Sequence, residues 1–434
     1  MSIILTLLVI FLGRYETDMS SSAQQVKKNS SIFNPFPGIV ASSEMAAAVA
    51  APPYDVVSRV EACDVAMDNP HSFLRVSRAE IELPIEIDAY DKAVYERAAL
   101  NFNRLINSNI LVADTSPAYY IWRLSADEYE QTGVVVAASI DAYKSGYIMR
   151  HEFTRPEKEL DRVYHIKALS AATGPTLLTH KPDSQLCDYI KLLTDQGPII
   201  DITGPNNVSH KIWRISALES INSLQKILNK LPGCYIADGH HRTAAASRLS
   251  EGRDSGGGSF LGVLFPSDQL NILDYNRVIR DLNGLSGNDF LRELELDFIV
   301  KKLKEPKRPK KARSFTLYIE KKWYSLELRS ESIVPKDPVN SLDVSILSTK
   351  ILEPIIDLYE PRTNQRIDFV GGARGLEGLK SYVDKNNWSV AFALFPTSID
   401  DLIKVADCGE VMPPKSTWFE PKLLDGLISL AIKS

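Results

Sequence analysis

Cysteine is scarce in this chain, with four in 434 residues. Cys63, Cys187, Cys234 and Cys408 stand far apart and form no C-x-x-C pair. That spacing supports neither a disulfide framework nor a structural zinc site, and it points to a reducing, cytoplasmic or organellar setting. An excess of positive charge is also missing. Fifty Lys+Arg face 55 Asp+Glu, a net charge of −5, which argues against nucleic acid as a partner, because a phosphate-tracking protein needs a cationic face. The unbroken apolar run Ile3 to Leu12 is too short to span a bilayer, which takes about 18 residues, so no membrane partner is expected. Neither G-x-x-x-x-G-K-[ST] nor G-x-G-x-x-G occurs, which removes support for P-loop and dinucleotide sites. G-x-S-x-G and His-x-x-x-His are absent too, so no hydrolase elbow or zincin helix is present.

What remains is an ordinary folded composition, 44% hydrophobic and 24% charged, at a length that suits two or three packed modules. Strand-like runs cover Tyr119 to Arg123, Gly133 to Ile140, Cys234 to Ala237, Phe260 to Phe265, Ser314 to Ile319 and Ser389 to Phe395. Helix-like runs cover Ile87 to Ser108, Ser216 to Asn229, Thr243 to Glu251, Asn288 to Leu296 and Leu376 to Lys385. The mixture lacks strict βαβ alternation and predicts an α+β fold of mixed sheets with packed helices. The expected division is an N-terminal extension over 1–33, a core over 34–255 and a C-terminal α+β domain over 256–434. The run Ile3 to Leu12 has no basic start and no small-residue cleavage site. Three readings of it stay open: a stretch outside the working protein with Met19 as the start, a signal or anchor, or a buried element. Asp18 to Ser31 reads as poorly ordered, Gly256-Gly257-Gly258 as a flexible loop, and the basic Lys301 to Arg313 as an exposed connection.

The strongest chemical signal is Cys234 to Ala246, CYIADGHHRTAAA. A short apolar strand meets Asp238-Gly239, and His240, His241 and Arg242 then open a run of good helix formers. Gly239 permits the sharp turn. A helix N-terminus offers free N–H groups and a positive dipole end to an anion, and Arg242 adds a bidentate donor suited to phosphate. Asp238 could hold a divalent ion or orient a histidine. A second cluster is Arg150-His151-Glu152-Phe153-Thr154-Arg155-Pro156, followed by Asp161-Arg162. A strand through Tyr147 to Phe153 would place Glu152 and Thr154 on one face, and Glu152 beside an anion site is a candidate general base. Weaker candidates are Asp55 after the Pro52-Pro53 pair, Arg277 after Asn276, and Lys415 with Ser416 and Thr417.

Together these segments resemble the DUF1015 family of unknown function. The matching pieces are APPYDV (Ala51 to Val56), HE-x-T (His151 to Thr154), DR (Asp161-Arg162), H-x-x-W (His210 to Trp213), IADGHHR (Ile236 to Arg242) and MP-x-KSTWF-x-PKL (Met412 to Leu423). The family begins shortly before its PPYDV segment, which favours Met19 as the start. The DGHHR turn is also similar to the phosphate-contacting G-x-x-R turn of the ParB/sulfiredoxin superfamily, some members of which phosphorylate free serine. The resemblance implies a ParB/sulfiredoxin-like nucleotide-binding core. It implies a phosphotransferase using ATP or ADP with Mg²⁺ on a small hydroxyl metabolite, free L-serine being one candidate. Gly239, His240, His241 and Arg242, with Arg162 and Thr154, would contact phosphates. Asp238 would serve the metal, and Glu152, with His151, the reacting hydroxyl. Asp55, Asp161, Arg277 and Lys415 are secondary candidates. In one place the sequence departs from the family: Asn276 precedes Arg277 where the family usually has histidine. A non-catalytic nucleotide- or phosphate-binding module, and a metal-dependent hydrolase with Asp238, His240 and His241 as ligands, are the alternatives.

Overall fold

A computed structural model describes residues 31–126, 129–251, 258–332 and 334–432. The apolar run near the N-terminus, the stretch up to residue 30 and most of the glycine loop, 252–257, lie outside the described residues. The fold is α+β, and the chain divides into two compact units. The first comprises 1–150, 154–269 and 421–434, and the second 151–153 and 270–420.

The first unit is built on a nine-stranded mixed sheet. Its strands are β1 (Phe33–Asn34), β2 (Tyr119–Ala126), β3 (Tyr129–Ser139), β4 (Ile148–Met149), β5 (Thr176–His180), β6 (Ile200–Thr203), β7 (Ser209–Ile215), β8 (Cys234–Asp238) and β9 (Ser259–Pro266). They lie in the order β4-β8-β5-β9-β3-β2-β7-β6, with β1 added along β3. β8 runs parallel to β4 and β9 parallel to β5, while the other pairs are antiparallel. The central strand β3 carries Val134-Val135-Val136, all buried, so a β-branched run is covered on both faces. Tyr119, Tyr120 and Trp122 on β2 are likewise inaccessible. Burial of each such side chain contributes about 1.5–3 kcal/mol. A small four-stranded sheet (Leu111–Ala113, Gly38–Ala41, Ile428–Ala431, Ala171–Ala172) joins the C-terminal strand to this unit.

The second unit holds a six-stranded antiparallel sheet: β10 (Tyr275–Ile279), β11 (Phe298–Leu303), β12 (Ser314–Ile319), β13 (Lys322–Leu328), β14 (Ile367–Gly371) and β15 (Val390–Leu394), ordered β11-β13-β12-β15-β10-β14. Its core gathers Val278, Tyr318, Leu379 and Ala391.

Three local expectations change. The helix predicted from Ile87 runs over Lys92–Asn107, because Asp91 accepts the Ala93 N–H and caps it. The strand expected from Tyr147 to Phe153 is confined to Ile148–Met149, so its alternation does not sort Glu152 and Thr154 onto one face. The basic stretch Lys301 to Arg313 is exposed as expected, but its first three residues end strand β11, and beyond them Arg308 donates to buried Asp274 at 2.7 Å and to the Gly372 carbonyl at 2.8 Å.

Candidate functional site

The site in the first unit starts at the end of β8. Pairing with β5 slips between Ile236 and Asp238, a bulge that re-aims the last strand residue. Gly239 follows with φ +96° and caps the helix His240–Ser250. A Cβ there would sit 3.2 Å from Thr176 Cα, in a backbone region L-residues rarely adopt. Gly239→Ala is therefore expected to cost about 1–2 kcal/mol, read as a lower urea midpoint at unchanged slope.

Lys422 donates to Asp238 Oδ2 at 3.0 Å. Burial pushes the Asp238 carboxyl up, but the Lys422 ammonium and the Arg242 guanidinium outweigh it and hold the group well below the usual carboxylate range. His240 is buried. The Nε2 of His241 accepts the Arg155 N–H at 2.9 Å, which places that ring's proton on Nδ1 and takes one nitrogen away from any metal.

Arg242 donates to the Pro175 carbonyl and faces Asp55 at 4.0 Å. The aromatic ring of Tyr54 carries the Arg162 guanidinium at 3.8 Å and that of Arg242 at 6.0 Å. Burial drives the Tyr54 hydroxyl up to about 12. Arg162 sits on the helix Pro156–Leu169, which Pro156 opens at its first position. Its Nε and Nη2 both reach Asp161 Oδ2, at 2.9 and 2.8 Å, and the Tyr95 hydroxyl donates to Asp161 Oδ1 at 3.1 Å. Thr154 bonds Glu159 at 3.3 Å, at the mouth of the same helix.

Asp425 completes the cluster. Its backbone bridges Ala51, and the residue is 2% exposed. Burial raises that carboxyl to about 7; Asp55 adds to the rise while Arg242 and Arg162 oppose it. His165, also buried here, is pushed down to about 4 by burial and the Arg162 charge, and is neutral at pH 7.

Asp55, Asp161, Arg162 and Arg242 are thus gathered around Tyr54, and Asp238, Gly239, His240 and His241 occupy the adjoining turn. Tyr54 and Lys422, which lie in segments that match the family, and Asp425 are members that the sequence did not mark as site residues. His151, Glu152, Arg277 and Lys415 belong to the second unit. There the His151 carbonyl accepts from Met412 N–H at 2.8 Å, and its Nε2 lies 3.4 Å from Thr417 Oγ1. Arg277 is buried, pushed down to about 10 by burial, and donates to the Pro414 carbonyl at 3.2 Å. Lys415 lies 5.5 Å from the Tyr275 ring centroid. Asn276 is fully buried, donating to Asp274 at 2.6 Å and accepting from Leu394 N–H at 3.1 Å, which makes it a tie between neighbouring strands. The H-x-x-W pair is also structural: His210 accepts from Trp122 at 3.2 Å, and Trp213 donates to the Gln196 carbonyl at 2.6 Å.

These features describe an α+β protein with a buried arginine cluster beside a glycine turn at a helix start. The chain belongs to the DUF1015 family, described as a protein of unknown function, whose model matches residues 33–345. No curated protein matches it. Similar solved structures include a free serine kinase mutant in complex with AMP, with 14% identity, TM-score 0.34, and coverage of 66% of this chain and 86% of that one. Another is a conserved hypothetical protein from Pyrococcus furiosus, with 14% identity, TM-score 0.33, and coverage of 68% and 93%. A third is SbnI with a C-terminal truncation from Staphylococcus aureus, with 14% identity, TM-score 0.37, and coverage of 68% and 88%. Among the described residues, no helix is long and apolar enough to cross a membrane.

Proposed function

We propose that the protein is a nucleotide-dependent phosphotransferase acting on a small hydroxyl metabolite. The observation that supports this most is the pairing of an anion-receptive turn, Gly239 to Arg242, with a carboxylate, Asp238, kept ionised by Lys422. Phosphoryl transfer asks chiefly for positioning and charge neutralisation. In this reading the turn's N–H groups and Arg242 hold the phosphates of ATP or ADP, with Arg162 behind them. Asp238 would be the residue to hold a magnesium ion, through Oδ1, since Lys422 donates to Oδ2. Such an ion would neutralise phosphate charge. Glu152 is proposed, on the family resemblance, to take the proton of the acceptor hydroxyl. The acceptor oxygen forms the new P–O bond as the bond to the nucleotide oxygen breaks.

The metal-hydrolase alternative loses ground. It needs His241 as a ligand beside Asp238 and His240, yet the Nε2 of that ring already accepts the Arg155 N–H.

The test is incubation with ATP or ADP, Mg²⁺ and L-serine or related hydroxy compounds, followed by detection of the phosphorylated product. Arg242→Ala and Glu152→Ala are each expected to lower turnover by about 10²-fold or more. Nucleotide binding without turnover on any acceptor would favour a sensing module instead. Unchanged activity in both variants would remove these residue roles.

A further inference from the structure

Arg277 has no part in the proposed reaction, and it is buried without a counter-charge. Its guanidinium donates to two backbone carbonyls, those of Tyr275 and, at 3.2 Å, Pro414. Among the described residues no carboxylate pairs with it. Acids close by in the chain or on the next strand have other partners: Asp274 takes Arg308 and Asn276, Asp368 the Tyr382 hydroxyl, and Glu420 the Trp418 indole N–H. A guanidinium has five N–H groups, so donors are left over on all three nitrogens. Burial works against the charge of every buried arginine. Tyr54 and Asp161 outweigh it at Arg162, and Asp55 and Asp238 at Arg242, whereas at Arg277 burial prevails and pushes the group down to about 10. A buried charge calls for a paired anion, which the described residues do not supply.

The sequence builds an aromatic frame around this cation. Tyr275 and Arg277 alternate onto one face of β10, and across on β14 they meet Gly371 and Phe369. The guanidinium lies 5.3 Å from the Phe369 ring centroid. Gly371 makes room for Trp418, since a Cβ there would collide with the indole. The indole in turn meets the Tyr275 ring edge-on, at 5.2 Å between centroids. The loop before Trp418 brings a second cation. Ser416 Oγ donates to the Pro413 carbonyl at 2.6 Å, closing a turn in which Lys415 takes a left-handed φ of +59°. Lys415 Nζ then stands 5.5 Å from the Tyr275 ring centroid, next in the chain to the Pro414 carbonyl that Arg277 holds. Lys415 is exposed and Tyr275, Phe369, Pro414 and Trp418 are half-buried, so solvent reaches the rim of the frame.

We infer that Arg277 and Lys415 form an oxyanion site of the second unit, and that its ligand is a phosphate group. The spare guanidinium N–H groups supply the directed hydrogen bonds, and the aromatic rings keep water from competing for them. Two cations suit a doubly charged group better than a carboxylate, which would leave one charge unanswered. A phosphate ester and free inorganic phosphate present the same oxygens to such a site. The inference does not depend on the phosphotransferase reading, which draws on neither Arg277 nor Lys415.

The experiment is isothermal titration at low salt, without nucleotide, of the full chain carrying Arg242→Ala, which takes the guanidinium of the first unit's turn out of the measurement. The probes are inorganic phosphate, glycerol 3-phosphate and acetate. At least one phosphate probe is expected to bind with one site, and acetate about tenfold more weakly or less. If glycerol 3-phosphate binds more tightly than inorganic phosphate, the ligand is an ester; the reverse order makes it the free ion. Adding Arg277→Gln should weaken phosphate binding by about tenfold or more, and Arg277→Lys should restore part of it. Lys415→Ala, at an exposed position that spares the fold, should weaken it by about threefold. Phosphate should also raise the urea midpoint of the Arg242→Ala protein and leave that of the Arg242→Ala/Arg277→Gln protein unmoved. Absence of phosphate binding to the Arg242→Ala protein would overturn the inference. So would binding that survives Arg277→Gln and Lys415→Ala unchanged, or acetate binding as tightly as phosphate. An effect of Arg277→Gln on stability alone would make Arg277 a structural tie and would equally overturn it.

Discussion

Arg162→Met is expected to destabilise the first unit by about 3–5 kcal/mol, the range found when one partner of a buried ion pair is removed. Arg162 and Asp161 are both nearly inaccessible, and Asp161 depends on two donors, Arg162 and the Tyr95 hydroxyl. Methionine fills comparable space but leaves Asp161 charged, buried and bonded to tyrosine alone. It also strips the cation from the Tyr54 ring, which the guanidinium covers at 3.8 Å. Arg162→Lys should cost less, about 1–2 kcal/mol, because charge is retained while the two-point contact and the planar stacking are lost. The decisive measurement is a double-mutant cycle by urea denaturation. Arg162→Met combined with Asp161→Asn should recover most of the lost stability, since no unpaired charge then remains. Failure of the second substitution to rescue would mean that Arg162 acts through packing and not through its pair.

The reach of the sequence can be judged from particular residues. The strand predicted over Ser314 to Ile319 matches its observed limits, and the helix run from Leu376 is off by one residue at each end. Local pattern decides such elements. The DGHHR turn was legible for the same reason: one glycine and its four polar neighbours carry the geometry within five residues. Its supporting cast was not legible. Lys422 meets Asp238 across 184 positions, and Asp425 reaches the arginines only because the chain returns to the first unit at Pro421. Nothing local marks Asp425 as buried, because its surroundings come from the Tyr54 segment and from two helices distant in sequence. The Tyr147 to Phe153 strand misled for the converse reason. Alternation there looked sheet-like, but only Ile148 and Met149 find a pairing strand, at Cys234 and Tyr235.

Asp425→Asn should make the ligand-free protein more stable, and the gain should depend on pH. The native carboxyl titrates near 7, above its ordinary value of 3.8, so the folded protein binds more protons than the unfolded chain between those limits. Stability from this group is fully present below about pH 4 and is lost as pH rises through 7. The charged groups beside the carboxyl keep their charge in that window, and the Tyr54 backbone hydrogen bond opposes the rise at every pH. Arg162 and Arg242 stay cationic, and His165 and Tyr54 stay neutral above pH 5, titrating near 4 and 12. Asp55, on the adjoining segment, adds to the upward shift. Asparagine mimics the protonated form at every pH. The stability difference between variant and parent should therefore be small near pH 4, widen through pH 7 and level off above pH 8, at no more than about 4 kcal/mol. Urea midpoints across that range measure it. A gap independent of pH would show that the Asp425 charge is not strained in the folded protein. Higher stability in the variant is the signature of a carboxylate held in an unfavourable setting inside the fold. A purely structural aspartate would show the opposite sign, because its replacement would remove a favourable contact and lower stability at neutral pH.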